Sequence, residues 1–284
     1  MEIWITPQNV RPRLRERRAS KSVGFIPTQG GLHAGHLAQI QRAKAECGLV
    51  IVSALPHPQI PSPFLPTNYR ESDAALATQA GADILFAPSP AEVFPEGATT
   101  RITLEGPLTQ ELEGRFLPHY FTAFATGLIK QLCLIYPDRI YLSEKSYQQV
   151  QVARRLIQDL GLPVSVVAVP PSREKDGLPV SRQALALSPD DRKKARVLPY
   201  LMATAQDLLD TTTPESQTDK AGVLIHWLAT LLQSSQPEVV ADYIALVDPE
   251  TFEPLDEITG RALIAIALRI GEARLTDSRL LRRR

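Results

Sequence analysis

The stretch "GFIPTQGGLHAGH", Gly24 to His36, decides how the rest of the chain is read. The run "SVGFIPT" that contains its start is short, apolar and β-rich, and reads as a strand; Ala34 to Glu46 has helical periodicity. Between them lie two adjacent glycines and two histidines three residues apart. At i and i+3 on a helix, His33 and His36 project to one face. The first turn of that helix carries N–H groups without intrahelical partners and the positive end of the helix dipole, an arrangement that attracts anions. Gly30 and Gly31 are expected to let a phosphate approach the backbone, and Gly35 to keep the face between the imidazoles open. Imidazole N–H groups placed there suit charge building on an α-phosphate during in-line displacement.

Outward from this corner, strands and helices alternate. "GLVIVSAL", "ADILFAP", "DRIYL" and "PVSVVAVP" read as strands. Asn68 to Ala80, Tyr120 to Leu134 and Glu144 to Leu160 read as helices, the first and last stopped by Gly81 and Gly161. This rhythm predicts an α/β fold with a parallel sheet covered by helices on both faces, whose ligands bind beyond the carboxyl ends of the strands. The proline-dense "PHPQIPSPFLP", Pro56 to Pro66, is read as a stiff loop after a strand. After about Pro171 the rhythm changes. Ser188 caps and Pro189 opens a helix through "SPDDRKKARVLPYLMATAQDLL", "DTTTPESQTDK" is a polar loop, and "VVADYIALVD" and "RALIAIALRIG" read as strands. Two domains are expected, residues 1–171 and a smaller α+β domain of residues 172–284.

The 284 residues carry no net formal charge, with 44% hydrophobic and 22% charged residues, a globular composition that argues against a general polyanion binder. "RPRLRERR" (Arg11 to Arg18) and "RLLRRR" (Arg279 to Arg284) lack interleaved aromatics and are read as a solvated helix face and a charged tail, not as a nucleic-acid surface. Cys47 and Cys133 have no CxxC spacing, so no metal site is expected from them and a reducing cytoplasm fits. No run approaches the roughly 18 apolar residues of a membrane span.

HxGH at a strand–helix corner resembles the signature of the nucleotidyltransferase superfamily. More narrowly, "IPTQGGLHAGH" resembles the "PTMGALHxGH" of the pantothenate synthetase (pantoate–β-alanine ligase) family. "YPDRIYLSEKSYQQVQVARRLIQDLGLPV" is similar to that family's "PDxxYFGEKDYQQ" block, and "REKDGLPVSRQALALSP" to "REXDGLAMSSRNxYLS". "AGADILFAPSPAEVFPEG" resembles the segment after its third strand, and the C-terminal strands resemble its closing ones, which usually end "RLIDN". The resemblance spans residues 20 to 280. It implies a Rossmann-like first domain, a second domain acting as a lid, use of ATP with Mg²⁺, and a homodimer. It implies the reaction too: the pantoate carboxylate attacks the α-phosphorus of ATP, pyrophosphate leaves, and the β-alanine amine displaces AMP from the acyl-adenylate.

By the same resemblance, His33, His36, Lys145 and Arg182 are the catalytic candidates. Thr28, Gly30, Gly35, Ser146 and Ser181 join those four as the ATP-binding set. Gln29, His57, Gln59 and Gln149 form the acid and amine set. Several positions depart from the family pattern. "NPxQF" reads His57-Pro58-Gln59-Ile60-Pro61, so Ile60 stands at the pantoate-binding glutamine with Gln59 one residue early. Ser146 replaces the ribose-binding aspartate, Gln183 stands at the arginine position with Arg182 one residue early, and "GHFRG" reads His119-Tyr120-Phe121-Thr122-Ala123. These losses leave an alternative open: a noncatalytic or substrate-shifted relative that binds a metabolite or protein.

Overall fold

The computed structural model describes residues 1–60, 64–211 and 220–282. Pro61 of the substituted loop, most of the polar loop at 210–220 and the last two arginines lie outside the described residues. The chain divides into two compact units. One comprises Met1–Leu104, Pro118–Ser143 and Gln148–Ser172; the other comprises Glu105–Leu117, Glu144–Tyr147 and Arg173–Arg284.

The first unit is a six-stranded parallel sheet. Its strands are β1 (Glu2–Trp4), β2 (Val23–Ile26), β3 (Leu49–Ser53), β4 (Ile84–Phe86), β5 (Arg139–Ser143) and β6 (Ser165–Val169), in the order β1-β4-β3-β2-β5-β6. Helices α1 (Val10–Arg18), α2 (Ala34–Glu46), α3 (Tyr69–Ala80), α4 (Tyr120–Ile135) and α5 (Tyr147–Asp159) connect them. Alternation along each strand sends side chains to two cores. Phe25, Ile51, Ile84 and Phe86 enter one with Leu128 and Leu132 of α4; Ile26, Val50, Val52 and Leu85 enter the other with Ile40 of α2 and Ala77 of α3. Both faces are therefore apolar, as the sequence predicts for a doubly covered sheet. The strand order reverses at β2, which pairs β3 on one side and β5 on the other. The Gly24–His36 corner leaves the sheet there, at a switch point where such sheets bind ligands.

The second unit packs an antiparallel sheet, β7 (Val240–Val247), β8 (Arg261–Ile270) and β9 (Ala273–Arg282), against α6 (Pro189–Ala195), α7 (Val197–Thr211) and α8 (Ala221–Ser235). Ile264, Ile266 and Leu268 of β8 face those helices, while Leu263 and Ala265 face Leu112, Tyr147 and Phe252 on the other side. Residues 105–117 and 144–147 thus belong to this unit because their apolar side chains cover the second face of its sheet.

Two expectations need correction. The helix expected after Ser188 is two helices. Ser188 and Pro189 start α6 as expected, but it stops at Ala195, and α7 restarts at Val197 so that Pro199 falls in a first turn, where its missing N–H costs nothing. The charged tail is strand: Arg279 to Arg282 lie in β9, with Leu281 buried and the Arg279 guanidinium donating to the Met202 carbonyl at 3.3 Å. The edge strand β1 is an addition that no pattern in the sequence marks. The arginines of α1 hold the unit's own surface: Arg11 donates to the Cys133 carbonyl and Arg18 to Asp138 and the Tyr136 carbonyl. Among the described residues, no helix is long and apolar enough to cross a membrane.

Candidate active site

The corner after β2 is built inward before it faces outward. Thr28 is buried; its hydroxyl donates to the Ser53 carbonyl and accepts the Gly30 N–H at 3.0 Å. Asp73, on α3 and without solvent exposure, accepts the Gly31 N–H at 2.9 Å and the Leu32 N–H at 2.6 Å. The expectation of open amides at Gly30 and Gly31 is corrected: these N–H groups serve Thr28 and Asp73. Gly30 is required for another reason. Its φ of +85° is strained for other residues, and a Cβ there would sit 2.5 Å from the Tyr69 ring.

His33 is the N-cap of α2. Its Nδ1 accepts the Gly35 N–H at 3.2 Å, and the Nδ1 of His36 accepts the His33 N–H at 3.3 Å. The two imidazoles thus cap the helix reciprocally, where a Ser/Thr and a Glu usually do so. Part of the expected unpaired first turn is filled by the histidines themselves. The chemical consequence concerns tautomers. A neutral imidazole whose Nδ1 accepts carries its proton on Nε2. Both rings, 4.1 Å apart between centroids and tilted by 37°, therefore carry N–H groups at their Nε2 ends.

His57 is half-buried against Phe94, edge-on at 4.4 Å, and lies so close to α4 that a Cβ on Gly127 would come within 2.8 Å of it. Its Nδ1 accepts the Gln59 N–H at 3.1 Å, which bends the loop so that Gln59 is exposed and Ile60 buried. Burial, aided by the charge of Lys130, lowers the His57 pKa to about 4. The unfolded chain then binds this proton below its ordinary value near 6.5, and the folded chain only near 4. Stability is therefore expected to fall as pH drops from about 6.5 to about 4, and His57→Asn to flatten that part of the curve. Urea unfolding of both proteins across this range measures the difference; parallel curves would contradict it.

Gln149, in the first turns of α5, donates its carboxamide N–H to the Tyr120 hydroxyl at the start of α4. Tyr120 stands where the family pattern has histidine. With the amide nitrogen so engaged, Tyr120 fixes the orientation of the carboxamide. Gln29 is half-buried and bridges to Ala54 at the end of β3.

Lys145 and Ser146 lie in a single 3₁₀ turn, Glu144–Ser146, of the second unit. The Lys145 ammonium donates to the Thr276 hydroxyl at 3.2 Å. Burial pulls its pKa below the usual lysine value; Asp277 and Glu113 act to raise it, Arg274 and Arg173 to lower it further. In the same unit Ser181 caps a helical turn, Arg182–Leu185, accepting the Ala184 N–H at 3.1 Å. Arg182 opens that turn with its Nη1 shielded from solvent.

The first unit thus gathers Thr28, Gln29, Gly30, His33, Gly35 and His36 at one corner, and ties Gln149 to Tyr120. The second holds Lys145 with Ser146, and Ser181 with Arg182. Sequence reading missed Asp73 and Thr276, and named Tyr120 only as part of the departure from "GHFRG". Asp73 had a signal: it shares the i, i+4, i+7 stripe of Ala77 and Ala80, both buried, so a carboxylate sits on the core face of α3.

Residues 2–280 match the family described as Pantoate-beta-alanine ligase. The pantothenate synthetase of a Thermus thermophilus strain is 40% identical over 271 residues, covering 93% of this chain and 95% of the relative. A crystal structure of pantothenate synthetase from that organism superposes with a TM-score of 0.86 at 38% identity, over 98% of this chain and 99% of the other. The pantoate-beta-alanine ligase of Francisella tularensis, solved in complex with beta-gamma ATP and beta-alanine, gives a TM-score of 0.78 at 26% identity, over 99% and 97% of the two chains. From the sequence profile, the relatives and the shared fold together, the chain belongs to the pantoate–β-alanine ligase family.

Proposed function

We infer that this chain makes pantothenate from pantoate, β-alanine and ATP. The pantoate carboxylate oxygen bonds to the α-phosphorus as the bond to pyrophosphate breaks. The β-alanine amine then bonds to the acyl carbon, AMP leaves, and the amine loses a proton. The observation that carries this reading is the reciprocal cap at His33 and His36. It leaves the proton of each neutral ring on Nε2, on rings 4.1 Å apart between centroids, and two such donors suit charge developing on α-phosphate oxygens. Lys145 neutralises phosphate charge, and Arg182 and Ser181 add contacts to the same group. Thr28, Gly30 and Gly35 shape the nucleotide corner and Ser146 contacts the ribose. Gln149, held by Tyr120, presents its carbonyl oxygen to a pantoate hydroxyl, with Gln29, His57 and Gln59 lining the acid and amine pockets.

Mg²⁺ is proposed to arrive on the nucleotide. Among the described residues no group of three or more His, Cys, Asp or Glu is placed to hold a metal, and this ion is commonly ligated by phosphate oxygens and water. Bound there, it supplies charge neutralisation of the leaving pyrophosphate. The lid role of the second domain, the homodimer and the cytoplasmic setting belong to this proposal. A degenerate binding module is not favoured, given relatives at 40% identity named pantothenate synthetase.

Pyrophosphate release from Mg·ATP is the test. It is expected to require pantoate, with AMP and pantothenate appearing only when β-alanine is added. Release that ignores pantoate, or no release with it, would refute the assignment.

A further inference from the structure

β9 presents alternate side chains to one side of its sheet: Arg274, Thr276 and Ser278. All three engage segments that the chain supplies from far upstream. Arg274 grips Glu113 through both terminal nitrogens, at 2.9 and 2.7 Å. Thr276 accepts from the Lys145 ammonium at 3.2 Å. Ser278 lies 2.9 Å from the Glu144 carbonyl and 3.1 Å from the Lys145 carbonyl, so its one hydroxyl proton is shared between the two. Asp277, on the opposite side and 2% exposed, is held by Arg173 at 2.7 and 3.2 Å, which fixes the strand between them. The lysine turn is thus tied twice, at its backbone and at its ammonium. The usual family ending "RLIDN" reads Arg274-Leu275-Thr276-Asp277-Ser278 here, so the two hydroxyls that touch the turn stand at departures from that pattern.

We propose that Thr276 and Ser278 are positioning residues for Lys145, holding its ammonium at the place where it meets the triphosphate; this rests on the ligase reading above. Asp277 and Glu113 act on the ammonium in one direction, Arg274 and Arg173 in the other. The Thr276 hydroxyl, at 3.2 Å, supplies a directed acceptor for it.

The test compares wild type with Thr276→Val and Thr276→Ser, with Thr276→Ala added in case the valine side chain disturbs the strand. Acetylation of Lys145 by acetic anhydride, followed by mass spectrometry across pH, reads the ammonium without requiring turnover; kcat and KM for ATP are measured beside it. A hydroxyl accepting from the ammonium favours its charged form. Thr276→Val is therefore expected to move the acetylation midpoint to lower pH and to raise the KM for ATP about tenfold. Thr276→Ser restores both. A midpoint and a KM unchanged in Thr276→Val and Thr276→Ala overturn the proposal. A wild type without pantoate-dependent pyrophosphate release removes the ligase reading alone, because the midpoint still decides whether Thr276 holds the ammonium.

Discussion

His36→Ala is expected to lower kcat for pantoate-dependent pyrophosphate release by about 10²–10³-fold, the usual loss when one donor to a developing oxyanion is removed. Its effect on stability is expected to be far smaller. The side chain leaves behind one N–H, that of His33, at a half-exposed helix start, and a lost cap costs about 1 kcal/mol. The two effects separate the donor from the cap. His36→Asn keeps a short polar side chain at the position, retains most of the thermal stability and recovers little of the rate. Steady-state kinetics beside thermal melts read both quantities. A variant within threefold of wild-type kcat would show that the imidazole serves the helix and not the reaction.

Asp73→Ala carries the largest expected cost to folding. Its carboxylate is the acceptor for two successive backbone N–H groups in a place water does not reach. Each buried N–H left without an acceptor costs about 1–3 kcal/mol, so a loss of about 2–6 kcal/mol in urea unfolding is expected. Asp73→Asn offers one carbonyl oxygen for two donors and should fall between. Because Leu32 immediately precedes His33, the same substitution is expected to lower kcat at temperatures where the protein remains folded. A loss below 1 kcal/mol in the alanine variant would mean that the corner holds itself without this carboxylate.

Much of the fold was legible because its signals are local. The strands β2 to β5 are short apolar runs, and Gly81 and Gly161 stop helices with the left-handed φ of +94° and +58° that glycine alone adopts cheaply. The edge strand β1 has three residues and one inward side chain, Trp4, too little for a pattern. What stayed hidden was long-range. Nothing near residues 105–117 or 144–147 announces that they cover a sheet formed after residue 240; Leu112 and Tyr147 find their apolar partners only once β7 and β8 exist. The site followed the same rule. His33 and His36 could be placed because they sit in one turn of one helix. Thr276 could not be paired with Lys145, nor Tyr120 with Gln149, because those meetings depend on packing between distant segments. The amide at Gly31 is engaged for the same reason, since its acceptor, Asp73, comes from a helix about 40 residues later.

The imidazole cap has one more consequence. In an ordinary capped helix, the group that closes the end and the group that works on a ligand are separate, and acid disturbs them separately. Here a proton added to either Nδ1 evicts the amide that nitrogen was accepting and leaves the Nε2–H in place, so acid reaches the scaffold through the same ring that carries the donor. Acid should therefore show itself as a loosened helix end while the Nε2 donors persist, and the end should close again on neutralisation.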